Sequence, residues 1–264
     1  MPPDDSTRES NGAIRKLIGA GAEIAGAAVG GALGFLATGP AGAAAGGVAG
    51  AAASSLLKHL GDEVSERVLS PRERVRVGGV LALVAAEVST RIESGQTTRS
   101  DGFFAPGPGG RSDADEVAEA VLLRTQREAE EKKLPYMAHL LASIAFDPGI
   151  SAPMAHQLVK AAEQLTYRQF CLLRLSAVKE AVGLRESDYT QQGQFEIGLL
   201  QVLYECQDLY TKGFVNFGGS VAFGPTDVNP GQMTAQGLAA HLYNAMQLAT
   251  IPMSDIEAVA KELR

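Results

Sequence analysis

The chain has 264 residues, 45% of them hydrophobic, with 23 Lys and Arg against 30 Asp and Glu and a formal net charge of -7. That length suits one large domain or two modest ones, each able to bury a core. The acidic balance argues against broad attraction to nucleic acid, and two cysteines are too few for a disulfide framework.

Residues 1–12 are polar and read as a flexible N-terminus without the basic start of a secretory signal. Residues 13–60 read as a Gly/Ala-rich helical hairpin. From Ile24 to Leu57 the run holds no charged residue, and Gly and Ala fill 22 of its 34 positions. Gly26, Gly30 and Gly34 recur every four residues before the Gly39-Pro40 break, and Gly42, Gly46 and Gly50 repeat the spacing after it. Each set falls on one helix face, where missing side chains let another backbone approach. Arg15, Lys16 and Lys58 flank the open end of the hairpin, and in a bilayer they would share the cytoplasmic side. Each leg would reach only about 21–26 Å, against a hydrocarbon core of roughly 30 Å. Insertion of a lone hairpin is therefore marginal, and association through the glycine faces would have to supply the remainder.

Residues 61–93 read as a helical segment. Within it Ser70 stands as an N-cap before Pro71, and Val75 to Ile92 supply an apolar stripe. Residues 94–113 form a long Gly/Pro/Ser/Thr-rich loop in which Phe103 and Phe104 are expected to anchor to the core.

Residues 114–264 read as a helical domain that ends in a winged-helix-like module. Its first helix is expected over Asp113 to Lys133, with a charged tail on a solvated face. Helices follow over Leu134 to Phe146, Ala152 to Gln164, Tyr167 to Val182 and Gln194 to Leu209. Lys212–Phe217 and Ser220–Phe223 alternate around Gly218-Gly219, which predicts a small β-hairpin. A helix over Thr234 to Leu248 and a last one over Ser254 to Leu263, with Ser254 and Glu257 as a capping box, complete the chain. The predicted fold class is mainly α.

The sequence offers no phosphate loop, no G-x-S-x-G elbow and no H-E-x-x-H pair. His59, His139, His156 and His241 are scattered singly, and Cys171 and Cys206 lie on apolar helical patterns as reduced core residues. The expectation is a non-enzymatic protein without catalytic residues, metal or cofactor. Residues 160–264 carry eight Lys and Arg and eleven Asp and Glu, so the winged-helix-like order points to protein contacts ahead of DNA.

Three stretches carry a resemblance. They are Leu134-Pro135-Tyr136-Met137-Ala138-His139-Leu140-Leu141-Ala142-Ser143, Ala155-His156-Gln157-Leu158-Val159-Lys160, and Gln164-Leu165-Thr166-Tyr167-Arg168-Gln169-Phe170-Cys171-Leu172-Leu173. Together, and more weakly with Lys212-Gly213-Phe214-Val215 and the final helix, this C-terminal half resembles the abortive infection alpha (Abi-alpha) family. The matching motifs are packing patterns. The resemblance implies a bacterial anti-phage defence role and transfers no active-site residue, and the Gly/Ala hairpin departs from the family's pattern.

The expected function is an abortive-infection-like effector or accessory protein acting by oligomerisation or membrane association of the glycine-zipper hairpin. The alternatives are a soluble protein-interaction module using the winged-helix-like part, and a DNA-binding regulator, which the charge opposes. The expected partners are a second copy of the chain, inner-membrane lipid or another protein. The expected location is the cytoplasm, with attachment at the inner membrane only through the hairpin.

Overall fold

The computed structural model describes residues 70–264, which contain eight α-helices and one two-stranded antiparallel sheet. The chain divides into two compact units, one ending at Glu163 and the other beginning at Gln164. Among the described residues no helix is long and apolar enough to cross a membrane.

In the first unit α1 spans Pro71–Glu93. Its start is fixed by a reciprocal cap, the Ser70 hydroxyl accepting from the Glu73 N–H and the Glu73 carboxylate accepting from the Ser70 N–H. Val77, Val80, Leu81, Val84 and Val88 form the buried stripe expected from their spacing. Helix α2 (Asp113–Arg127) starts at the same kind of box, Ser112 with Asp115. Helix α3 (Leu134–Phe146) is buried over Leu134–Ala145. An apolar surface on every side requires neighbours on several sides, and both α1 and α2 pack against it. Helix α4 (Ala152–Gln164) follows after the Asp147-Pro148-Gly149 break.

The expected helix over Asp113 to Lys133 is corrected at its end. Helix α2 stops at Arg127, Glu128 is extended, and Glu131–Lys133 forms a 3-10 turn. The solvated charged tail is likewise wrong for Lys133, whose side chain is 2% exposed. Its ammonium lies 2.5 Å from the Glu128 carboxylate and donates to the Glu163 carbonyl. A buried ammonium must be paired, and the break after Arg127 allows that pairing.

In the second unit α5 (Tyr167–Val182) is central, packing against α6 (Ile197–Thr211), α8 (Met253–Ala260) and the strand β2 (Met233–Ala235). Thr166 and Gln169 form its capping box, and Gly183 ends it in the left-handed conformation at φ 62°. Strand β1 (Val215–Phe217) pairs with β2 (Met233–Ala235) in the register Val215 to Ala235 and Phe217 to Met233. Helix α7 spans Leu238–Ala245.

The small β-hairpin is corrected in its partner. Gly218 and Gly219 do turn the chain, at φ 66° and 84°, but Phe217 and Ser220 then make a single bridge. The second strand lies beyond two 3-10 turns, at 233–235. Thr234 and Ala235 are therefore strand, and the helix expected from Thr234 starts at Leu238. The Ser254–Glu257 box is also absent. Helix α8 has Pro252 at its N-cap, so Ser254 already lies in the first turn, where its side chain cannot cap.

Candidate functional site

The sequence-derived glycines Gly26, Gly30, Gly34, Gly42, Gly46 and Gly50, and the flanking Arg15, Lys16 and Lys58, lie outside the described residues.

One part-buried polar group joins α1 to α3. Glu87 and Arg91 stand one turn apart on α1, and His139 and Ser143 one turn apart on α3. Arg91 donates to the Glu87 carboxylate at 2.8 Å and to the Ser143 hydroxyl at 3.0 Å, while His139 Nδ1 lies 3.6 Å from the other Glu87 oxygen. A seryl nucleophile needs its hydroxyl proton directed at a base. Here the Ser143 oxygen accepts from a guanidinium, and no hydrogen bond joins it to His139 among the described residues. The group clamps two helices.

A second buried cation holds the long loop. Arg99 donates to both Asp101 oxygens and to the carbonyls of Ile144 and Ile150. Its guanidinium also lies over the Phe103 ring, 4.2 Å from the centroid. Phe103 is buried and meets Phe104 edge-on, so the expected anchoring holds for Phe103, while Phe104 stays half-buried. Arg99 brings Asp101 down to a pKa of about 2 by hydrogen bonding. Sequence reasoning missed Arg99, because nothing in a lone arginine of a polar loop marks it as buried.

In the second unit an open cleft of about 430 Å³ is lined by Lys179, Glu180, Leu184, Glu186 and Gln232, with Gly183 and Gly231. The Glu186 carboxylate fills the place of a side chain at Gly231, where a Cβ would come within 2.5 Å of it. Charges of both signs and one apolar residue leave this cleft without a convergent binding set. Cys171 and Cys206 are buried and form no disulfide, and burial pushes the Cys206 thiol above its ordinary range. An inert core thiol is the result. Among the described residues no group of three or more His, Cys, Asp or Glu could hold a metal ion.

The feature that core packing does not absorb is an apolar face around α6. Ile197 is 77% exposed and Tyr204 59%, and seven residues, two helical turns, separate them on one stripe. Beside them runs the segment after the Gly218-Gly219 turn, with Val221 63% and Phe223 90% exposed. Gln207 of α6 donates to the Ala222 carbonyl at 3.1 Å. The Asp227 carboxylate accepts from the N–H groups of Phe223 and Gly224. The exposed phenyl group is therefore carried on a tied backbone. The alternation of Val221, Ala222 and Phe223 was the legible signal: Ala222 is buried and its neighbours point outward. Which side faced water depended on a strand partner that this segment does not have.

No protein-family model matches the chain, and no curated protein or solved structure is detectably similar to it.

Proposed function

We propose that this chain is a non-enzymatic bacterial anti-phage effector or accessory protein of the abortive-infection type, acting by oligomerisation or membrane association of its glycine-zipper segment. The observation that carries the reading is the spacing of Gly26, Gly30 and Gly34, then Gly42, Gly46 and Gly50, within a charge-free run. That pattern brings helices to backbone contact and gives association where side-chain hydrophobicity is thin. The resemblance of residues 134–173 supplies the defence context. Fractionation before and after phage infection, with leakage from liposomes, tests it. The expected result is a shift to the membrane fraction that Gly30→Leu with Gly46→Leu abolishes. A chain that stays soluble and leaves liposomes intact in both states overturns it.

The exposed apolar face favours a second reading, a soluble protein-interaction module in which the winged-helix-like part makes the contact. Exposed large apolar side chains on and beside one helix are candidates for a partner contact. Under this reading the same glycine substitutions change the assembly state and leave membrane association unchanged.

A further inference from the structure

Two arginines of this protein meet a carboxylate along the guanidinium edge that carries Nε and Nη2. Arg168 gives both nitrogens of that edge to Glu205, at 2.7 and 3.1 Å, and Arg99 gives both to Asp101. The fork matches a planar oxyanion and is the strong mode of arginine bonding. Arg174 on α5 departs from it. Its Nη2 donates to the Met253 sulfur at 3.5 Å, its Nε is buried without a partner, and its Nη1 reaches only the Leu248 carbonyl, at 3.5 Å. Asp255, the carboxylate in the first turn of α8, accepts from the Tyr167 hydroxyl at 2.8 Å, and among the described residues no carboxylate pairs with Arg174. A thioether is a weak acceptor, so an edge suited to oxygen holds a poor substitute.

The thioether is also within reach of small solutes. Met253 begins α8 and is 45% exposed, whereas Met137, Met233 and Met246 are buried and Met154 is half-buried. Oxidation of methionine adds an oxygen one bond beyond the sulfur and turns the weak acceptor into a strong one. At Met253 that oxygen would lie at the edge where Nε has no acceptor. Its partial negative charge would also stand at the N-terminus of α8, where it is favoured. Sulfoxide formation ordinarily disrupts apolar packing, but here it completes a polar contact between α5 and α8.

We propose that Met253 is a reversible oxidation site whose sulfoxide is held by the Arg174 guanidinium. A peroxide is the oxidant. The sulfur lone pair attacks one peroxide oxygen, and the O–O bond breaks as the S–O bond forms. The proton of the attacked oxygen passes to the departing hydroxide, which leaves as water. Sulfur is oxidised by two electrons and the peroxide reduced by two. A dithiol reductant reverses the step, removing the oxygen as water and becoming a disulfide.

Full-length protein in dilute hydrogen peroxide tests it, with oxidised residues read by peptide mass spectrometry and stability by urea unfolding. Met253 is expected to oxidise at least about tenfold faster than Met137, Met233 and Met246. Oxidation at Met253 is expected to raise the folded-to-unfolded ratio about two- to tenfold, the range of one added hydrogen bond. Methionine sulfoxide reductases are expected to return the ratio to its starting value, and Met253→Leu to show no such rise. Arg174→Leu is expected to abolish the gain while leaving Met253 oxidisable. Arg174→Lys, which keeps the charge and loses the fork, makes the same comparison if the leucine variant does not fold. The proposal is overturned if Met253 oxidises no faster than the buried methionines, or if its oxidation fails to raise the ratio. It is also overturned if the gain persists without the Arg174 fork.

Discussion

Two buried cations in the first unit show how single residues decide local structure. Lys133, 2% exposed, faces a Glu128 side chain that is 13% exposed. Breaking a buried pair by removing one partner strands the other charge. Lys133→Met is therefore expected to destabilise the protein by about 3–5 kcal/mol, measured by urea unfolding, and a further Glu128→Leu to recover most of the loss. The Arg99–Asp101 pair gives a pH dependence. The Asp101 carboxyl is held at about 2, below its ordinary 3.8, so the folded state favours the ionised form. Its stabilising contribution is complete above about pH 4 and is lost as pH falls through 2. The melting temperature of the wild type is expected to drop more steeply between pH 4 and 2 than that of Asp101→Asn, which lacks the titrating group. Equal slopes would show that the pair contributes nothing to acid stability.

At the scale of elements, the two caps read from the sequence divide, one forming and one not. Ser70 begins α1 as its position before Pro71 predicts, because the hydroxyl and the Glu73 carboxylate satisfy backbone groups that no helical carbonyl can reach. The box at Thr166 and Gln169 was not anticipated, yet it carries more. The Gln169 amide also donates to Asp208 at 2.6 Å, tying the start of α5 to α6. Thr166→Ala is expected to cost about 1 kcal/mol in thermal or denaturant unfolding. Gln169→Ala should cost more, since it also leaves Asp208 without that donor. Ser254 and Glu257 show the converse. The right residues at the right spacing form no box, because the helix begins at Met253 after Pro252 and puts Ser254 inside it. Spacing nominates a cap, but the backbone entry angle selects it.

For the protein as a whole, the helical class, the apolar stripe of α1, the apolar character of α3, the break at Asp147-Pro148-Gly149 and the Gly218-Gly219 turn were legible in the sequence alone. All of these follow from local rules: helical periodicity, the φ limits of proline and the freedom of glycine at positive φ. The charge-free glycine run is equally a property of the sequence, and its role remains the proposal tested above by fractionation. Tertiary structure decided the matters that depend on partners distant in the chain. Val215–Phe217 pairs with Met233–Ala235 and bypasses the nearer Ser220–Phe223 segment. Arg99 and Lys133 are buried because carbonyls and carboxylates converge on them from separate segments. The face of Ile197, Tyr204, Val221 and Phe223 exists because the segment freed from the sheet is held by Gln207 and Asp227 beside α6. Alternating hydrophobicity states that one side of a segment differs from the other; only the packed chain states which side meets water.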